Sequence, residues 1–120
     1  MDIHTIHNKA EEKILRTACA PFDFTKFSKP EIRELIKMMR QTMVAAGGIG
    51  LAANQIGLST TVFVARNENK FYAVFNPKLT EIAGEKLLLE EGCLSVPNQY
   101  GTVARSEKVI LTGQDQNGIA

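Results

Sequence analysis

The sequence predicts an α+β domain in which one long helix in the amino-terminal half packs on antiparallel or mixed β-strands. Three observations carry this. A stripe of apolar residues at helical period runs through 29–46, the pattern beyond Gly47 and Gly48 changes to short β-branched and aromatic runs, and these strands follow the helix instead of alternating with further helices. A helix followed by strands argues against βαβ units and a parallel sheet. The 120 residues amount to a single domain, and 44% hydrophobic residues are enough to build its core, which excludes disorder as the main state.

Each element has its own signal. Residues 10–16 read as a shorter helical turn. The long helix begins at Ser28, a hydroxyl N-cap with Glu31 three residues later and Pro30 in the first turn, which together form a capping box. Ile32, Leu35, Ile36, Met39 and Met43 then make the apolar stripe, while Arg33, Glu34, Lys37, Arg40 and Gln41 cover the opposite face. Gly47 and Gly48 end it. The runs 60–65 and 71–75 predict two antiparallel strands joined by a turn, and Asn76-Pro77 closes the second. Further strands are expected at 79–82, 85–91 and 103–112, punctuated by Gly84, Pro97 and Gly113. Asn117-Gly118 is a strong hairpin-turn signal, but only Ile119 and Ala120 follow it, so the strand at 103–112 is expected to lack its returning partner.

Composition narrows the function classes. Fourteen basic against thirteen acidic residues leave a formal charge of +1, and the absence of any block of like charges argues against nucleic-acid binding or membrane anchoring. No window approaches the apolar length of a membrane span, and the polar start of the chain is unlike a signal peptide. Two cysteines, Cys19 and Cys93, are too few for a disulfide framework and point to a reduced, cytoplasmic setting.

Two segments are dense in residues that could carry chemistry. Gly48-Ile49-Gly50-Leu51-Ala52-Ala53 can be read as a phosphate-cradling turn, but it follows a helix and leads toward a strand, the reverse of what a dinucleotide fold requires. Its glycines suit either the close approach of an extended peptide or a tight helix-to-strand connection. Gln55 follows at once, and its amide can donate to a developing oxyanion. In Glu91-Gly92-Cys93-Leu94-Ser95 the cysteine can be a thiolate ligand, a nucleophile or a small buried hydrophobe. A nucleophile needs a histidine base, and the two histidines, His4 and His7, stand far away in sequence and are expected to be solvated. Cys19 has no such flanks and is expected in the core.

Taken together these segments resemble the peptide deformylases. Gly48 to Gln55 (GIGLAANQ) is similar to the family's first motif, GxGxAAxQ, and Glu91 to Ser95 to its second, EGCLS; the likeness extends through Ile14-Leu15-Arg16, Phe75-Asn76-Pro77 and Arg105-Ser106-Glu107-Lys108-Val109. The resemblance implies metal-dependent removal of the formyl group from the initiator methionine of nascent polypeptides, in a bacterial cytoplasm or organellar matrix. By motif position it implies Cys93 as a thiolate ligand of a divalent metal, iron natively or zinc. It implies Gln55 and the backbone N–H of Leu94 as oxyanion donors, with Ile49, Gly50, Leu89 and Glu91 lining the methionine pocket and peptide groove.

The family's third motif, HExxH, supplies two imidazole ligands and a catalytic glutamate, and the 120 residues contain no match to it. His4 and His7 lack its spacing and its glutamate. The resemblance therefore implies a deformylase-like domain cut short at its carboxyl end, lacking the C-terminal helix and inactive by itself. A noncatalytic peptide-binding module is the alternative, with a cysteine hydrolase behind it. Without that helix the 29–46 stripe is expected to lack partners and to promote self-association.

Overall fold

The computed structural model describes residues 3–119, with side chains described everywhere except 80–90, 98–104 and 106–110. Helices α1 (Lys9–Arg16) and α2 (Lys29–Ala45) precede strands β1 (Gly50–Ala52), β2 (Val62–Asn67), β3 (Lys70–Cys93) and β4 (Val96–Gln114), so the α+β order holds. The strands form one sheet in the order β1-β2-β3-β4, antiparallel throughout.

Local chemistry sets the helix ends. Asn8 caps α1, its Oδ1 accepting the N–H groups of Ala10 and Glu11 at 2.9 and 3.1 Å. At the start of α2 the Ser28 hydroxyl accepts the Glu31 N–H at 3.2 Å, and the Glu31 carboxylate accepts the Ser28 N–H at 2.9 Å, the expected capping box. The helix closes as a Schellman motif, with Gly47 at φ 73° and the Gly48 N–H donating to Met43 O at 2.9 Å.

The strands depart from the sequence expectation: β1 lies where no strand is expected, and β2 covers Val62–Asn67 instead of 60–65. The runs at 71–75, 79–82 and 85–91 belong to the single strand β3, and the run at 103–112 to the longer β4. The β3–β4 register shifts between Phe75 and Lys78, which brackets Pro77, and again between Ala83 and Lys86. Proline cannot donate to a ladder, and a bulge lets the strand continue past it. Among the described residues β4 pairs with β3 on one side and forms the edge of the sheet, as expected of a strand without a returning partner, and residues 115–119 fold back as a tight turn in which the Asp115 carboxylate accepts the N–H groups of Asn117 and Ile119.

The core lies between α2 and the first three strands. Ile32, Met39 and Met43 are buried against Leu51, Ile56, Val62, Val64 and Phe75, and Leu35 and Ile36 pack beside them. The expectation that the stripe lacks partners fails for Ile32, Met39 and Met43, while Leu35 and Met38 line an open cleft beside Phe22 and Phe27. Phe22 joins this core, its ring 4.8 Å from Phe75 edge-on and 5.0 Å from the stacked ring of Phe27. Asn76 ties Phe22 to the sheet by accepting its N–H at 2.6 Å and donating to its carbonyl at 3.1 Å. Among the described residues, no helix is long and apolar enough to cross a membrane.

Candidate functional site

The two motif segments meet although they are distant in sequence. The first leaves α2, forms β1, and turns through a short 3₁₀ helix, Ala53–Ile56, that carries Gln55. The second is the tip of the β3–β4 hairpin, where Cys93 ends β3, pairs with Val96, and leaves Leu94 and Ser95 as a two-residue turn. Between them opens a cleft of about 590 Å³, lined by Ala46 to Gly50 and Gln55 on one side and by Gly92, Cys93, Leu94, Val96 and Pro97 on the other.

Gln55 faces Cys93 across this cleft. Its Oε1 accepts the Ala52 N–H at 2.9 Å, so its NH₂ is the end turned toward the second segment. That Nε2 donates to Ser95 Oγ at 3.0 Å and lies 3.7 Å from Cys93 Sγ. Cys93 is a free, exposed thiol, whereas Ser95 is only 5% exposed.

The glycines serve the contact between the segments. A Cβ on Gly48 would come within 2.7 Å of Leu94 Cδ1, so a larger residue there would force the Leu94 side chain to move. Arg66 on β2 braces the same loop from behind, its Nε donating to Gly48 O and its N–H to Ile49 O, both at 2.9 Å. Ile49 remains 76% exposed at the cleft mouth.

Glu91 and Leu89 lie on β3, the strand that leads into Cys93. Glu91 stands outside the cleft lining, its carboxylate held by Arg105 at 2.9 and 2.7 Å. Those hydrogen bonds hold the Glu91 carboxyl below the usual value near 4.5 and raise the guanidinium in turn. Leu89 lies on β3, and its side chain is outside the described residues. Among the described residues, no group of three His, Cys, Asp or Glu side chains converges to hold a metal, and Cys93 is the one potential donor of this kind lining the cleft.

Sequence reasoning missed the part played by the amino terminus. The N–H of His4 donates to Gln55 O at 2.5 Å and that of Ile6 to Ser95 O at 3.0 Å, so this segment straps both sides of the site together. His4 is half-buried, its Nδ1 out of solvent and without a hydrogen-bond partner among the described residues, contrary to the expectation of solvated histidines. His7 is exposed, and Cys19 is half-buried instead of fully in the core. No periodic signal marks a backbone strap of this kind; the inclusion of Ser95 in the second motif was the available hint.

The description "Polypeptide deformylase" belongs to the family model that matches residues 3–120. A peptide deformylase of Chloroflexus aurantiacus is 32% identical over 129 residues, an alignment covering 94% of this chain and 67% of that protein. One from Treponema pallidum is 41% identical over 88 residues, covering 73% of this chain and 54% of its own length. Among solved structures, a peptide deformylase of Synechococcus elongatus in complex with actinonin superposes with a TM-score of 0.87 at 34% identity, covering 98% of this chain and 61% of that one. The chain thus spans about half to two thirds of the length of such relatives.

Proposed function

The chain belongs to the polypeptide deformylase family, and on that premise we propose that its cleft receives the formylated amino terminus of nascent polypeptides for metal-dependent deformylation. The placement of the Gln55 amide 3.7 Å from Cys93 Sγ, beside the open Gly48–Gly50 edge, supports this reading most directly. Gln55 and the Leu94 N–H are assigned as the donors to the negative charge that would develop on the formyl oxygen. One such pre-aimed donor is typically worth about 2.7–4 kcal/mol of transition-state stabilisation. Ile49 and Gly50 form the wall of the methionine pocket, and Leu89 and Glu91, on the strand leading into Cys93, are assigned to the adjoining groove. An extended peptide there gains main-chain pairing with little dependence on its sequence.

A catalytic metal centre needs three protein ligands and an open position. The described residues do not fit a complete centre, because Cys93 stands without two imidazoles. Cys93 is therefore assigned as one thiolate ligand for iron or zinc, with the remaining ligands and the catalytic glutamate to come from residues outside these 120. The chain by itself binds and orients the peptide terminus without turning it over. Titrating formyl-Met-Ala-Ser into the chain and assaying formate release with added ferrous iron or zinc tests both halves. Saturable binding at millimolar peptide, weakened by Ile49→Asp and unaccompanied by formate, is expected. No binding would overturn the assignment of the cleft, and formate release that depends on Gln55 would overturn the inactivity of the chain alone.

A further inference from the structure

We propose that Ser95 is a positioning residue whose buried hydroxyl aims the Gln55 amide into the cleft, and that the amino-terminal strap holds Ser95 in place to do so. The inference rests on the deformylase reading of the cleft for its meaning, but its geometry stands independently. The Ala52 N–H can be met only by the carbonyl oxygen of the Gln55 amide, which leaves two amide hydrogens on the opposite end. Ser95 Oγ takes one of them at 3.0 Å, and the other is turned into the cleft toward Cys93 Sγ, 3.7 Å from Nε2. Without Ser95 the Nε2 end would keep only its long contact with Cys93 Sγ at 3.7 Å, and the amide would turn more freely about its last torsion, which is broad in glutamine.

The hydroxyl is itself on a fixed backbone. Ser95 is 5% exposed, and its carbonyl accepts the Ile6 N–H at 3.0 Å. The Gln55 carbonyl accepts the His4 N–H, two residues earlier on the same strap. Three segments remote in sequence are thus closed into one ring of hydrogen bonds, running from strap to Gln55, from Gln55 to Ser95, and from Ser95 back to the strap. A serine kept merely for its size would need neither the amide contact nor this closure, and alanine would replace it without consequence.

The test is proton NMR on the 15N-labelled chain, with the Gln55 side-chain NH₂ assigned by its loss in Gln55→Leu. The Gln55 NH₂ should exchange with water more slowly than those of the exposed Gln41 and Gln116. Ser95→Ala should accelerate that exchange about tenfold, the loss expected for one hydrogen bond, while backbone amides of β2 and β3 keep their shifts. Ser95→Thr, which restores the hydroxyl, should restore slow exchange. Unchanged exchange in a folded Ser95→Ala chain would overturn the proposal, as would a failure of Ser95→Thr to differ from it. Should Ser95→Ala not fold, wild-type exchange as fast as that of Gln41 would overturn it equally. Peptide binding is read separately, so its failure would count against the deformylase reading and not against the role of Ser95.

Discussion

Gly57→Ala should destabilise the chain by about 2 kcal/mol, of which about half should vanish when His4 is also truncated. Gly57 closes the turn that carries Gln55 and has φ 86°, in the left-handed region. A side chain there costs about 1–2 kcal/mol, offset by about 0.4–1 kcal/mol from stiffening the unfolded chain, which leaves roughly 1 kcal/mol. The new Cβ would also lie 3.0 Å from both Cε1 and Nε2 of the His4 ring, so the ring must yield by a few tenths of an ångström. Displacing the end of a rotatable side chain falls at the low end of overpacking costs, roughly 1 kcal/mol. The assay is urea denaturation of the wild type, Gly57→Ala, His4→Ala and the double variant. A coupling of about 1 kcal/mol between the two sites is expected, well above the roughly 0.3–0.5 kcal/mol within which independent sites add. Additive behaviour would refute the placement of His4 over Gly57, and an undiminished stability of Gly57→Ala alone would refute the left-handed turn.

Phe75→Ala should cost about 3–5 kcal/mol in urea denaturation, because the ring is fully buried and packs on Phe22 and Phe24; a loss under about 2 kcal/mol would contradict that packing. Glu91 has its folded pKa depressed by Arg105, so its contribution to stability is fully present above the usual value near 4.5 and lost as pH falls through the lower folded value. Asp23 and Glu31 are depressed by their hydrogen bonds to Thr25 and Ser28 and titrate in the same direction. The melting temperature of Glu91→Gln should therefore fall less steeply with acid than that of the wild type, and the difference should shrink with added salt, since the pair is exposed to solvent. Identical acid profiles would remove Glu91 from the account.

The elements legible in the sequence were those specified by neighbours a few residues apart. The capping box at Ser28, the Schellman end at Gly47 and Gly48 and the stripe from Ile32 to Met43 all depend on contacts within one or two helical turns. Strand limits were less legible, because Pro77 and Gly84 have the same local signature whether a strand ends or continues through a register shift. The two motif segments stood out for their unusual density of glycine, glutamine and cysteine, and they are the segments that form the cleft.

By itself the sequence determined the family, the helix boundaries and which residues could supply chemistry. Only the tertiary structure decided how those residues are held. Gln55 and Cys93 stand 38 positions apart, and their approach depends on how β1 and the β3–β4 hairpin are positioned around the shared core. The same packing puts Leu94 against Gly48, turns Glu91 toward Arg105 and draws the amino-terminal strap across both loops. Propensity and periodicity are properties of adjacent residues, whereas a hydrogen bond across the cleft exists only once the chain has closed upon itself.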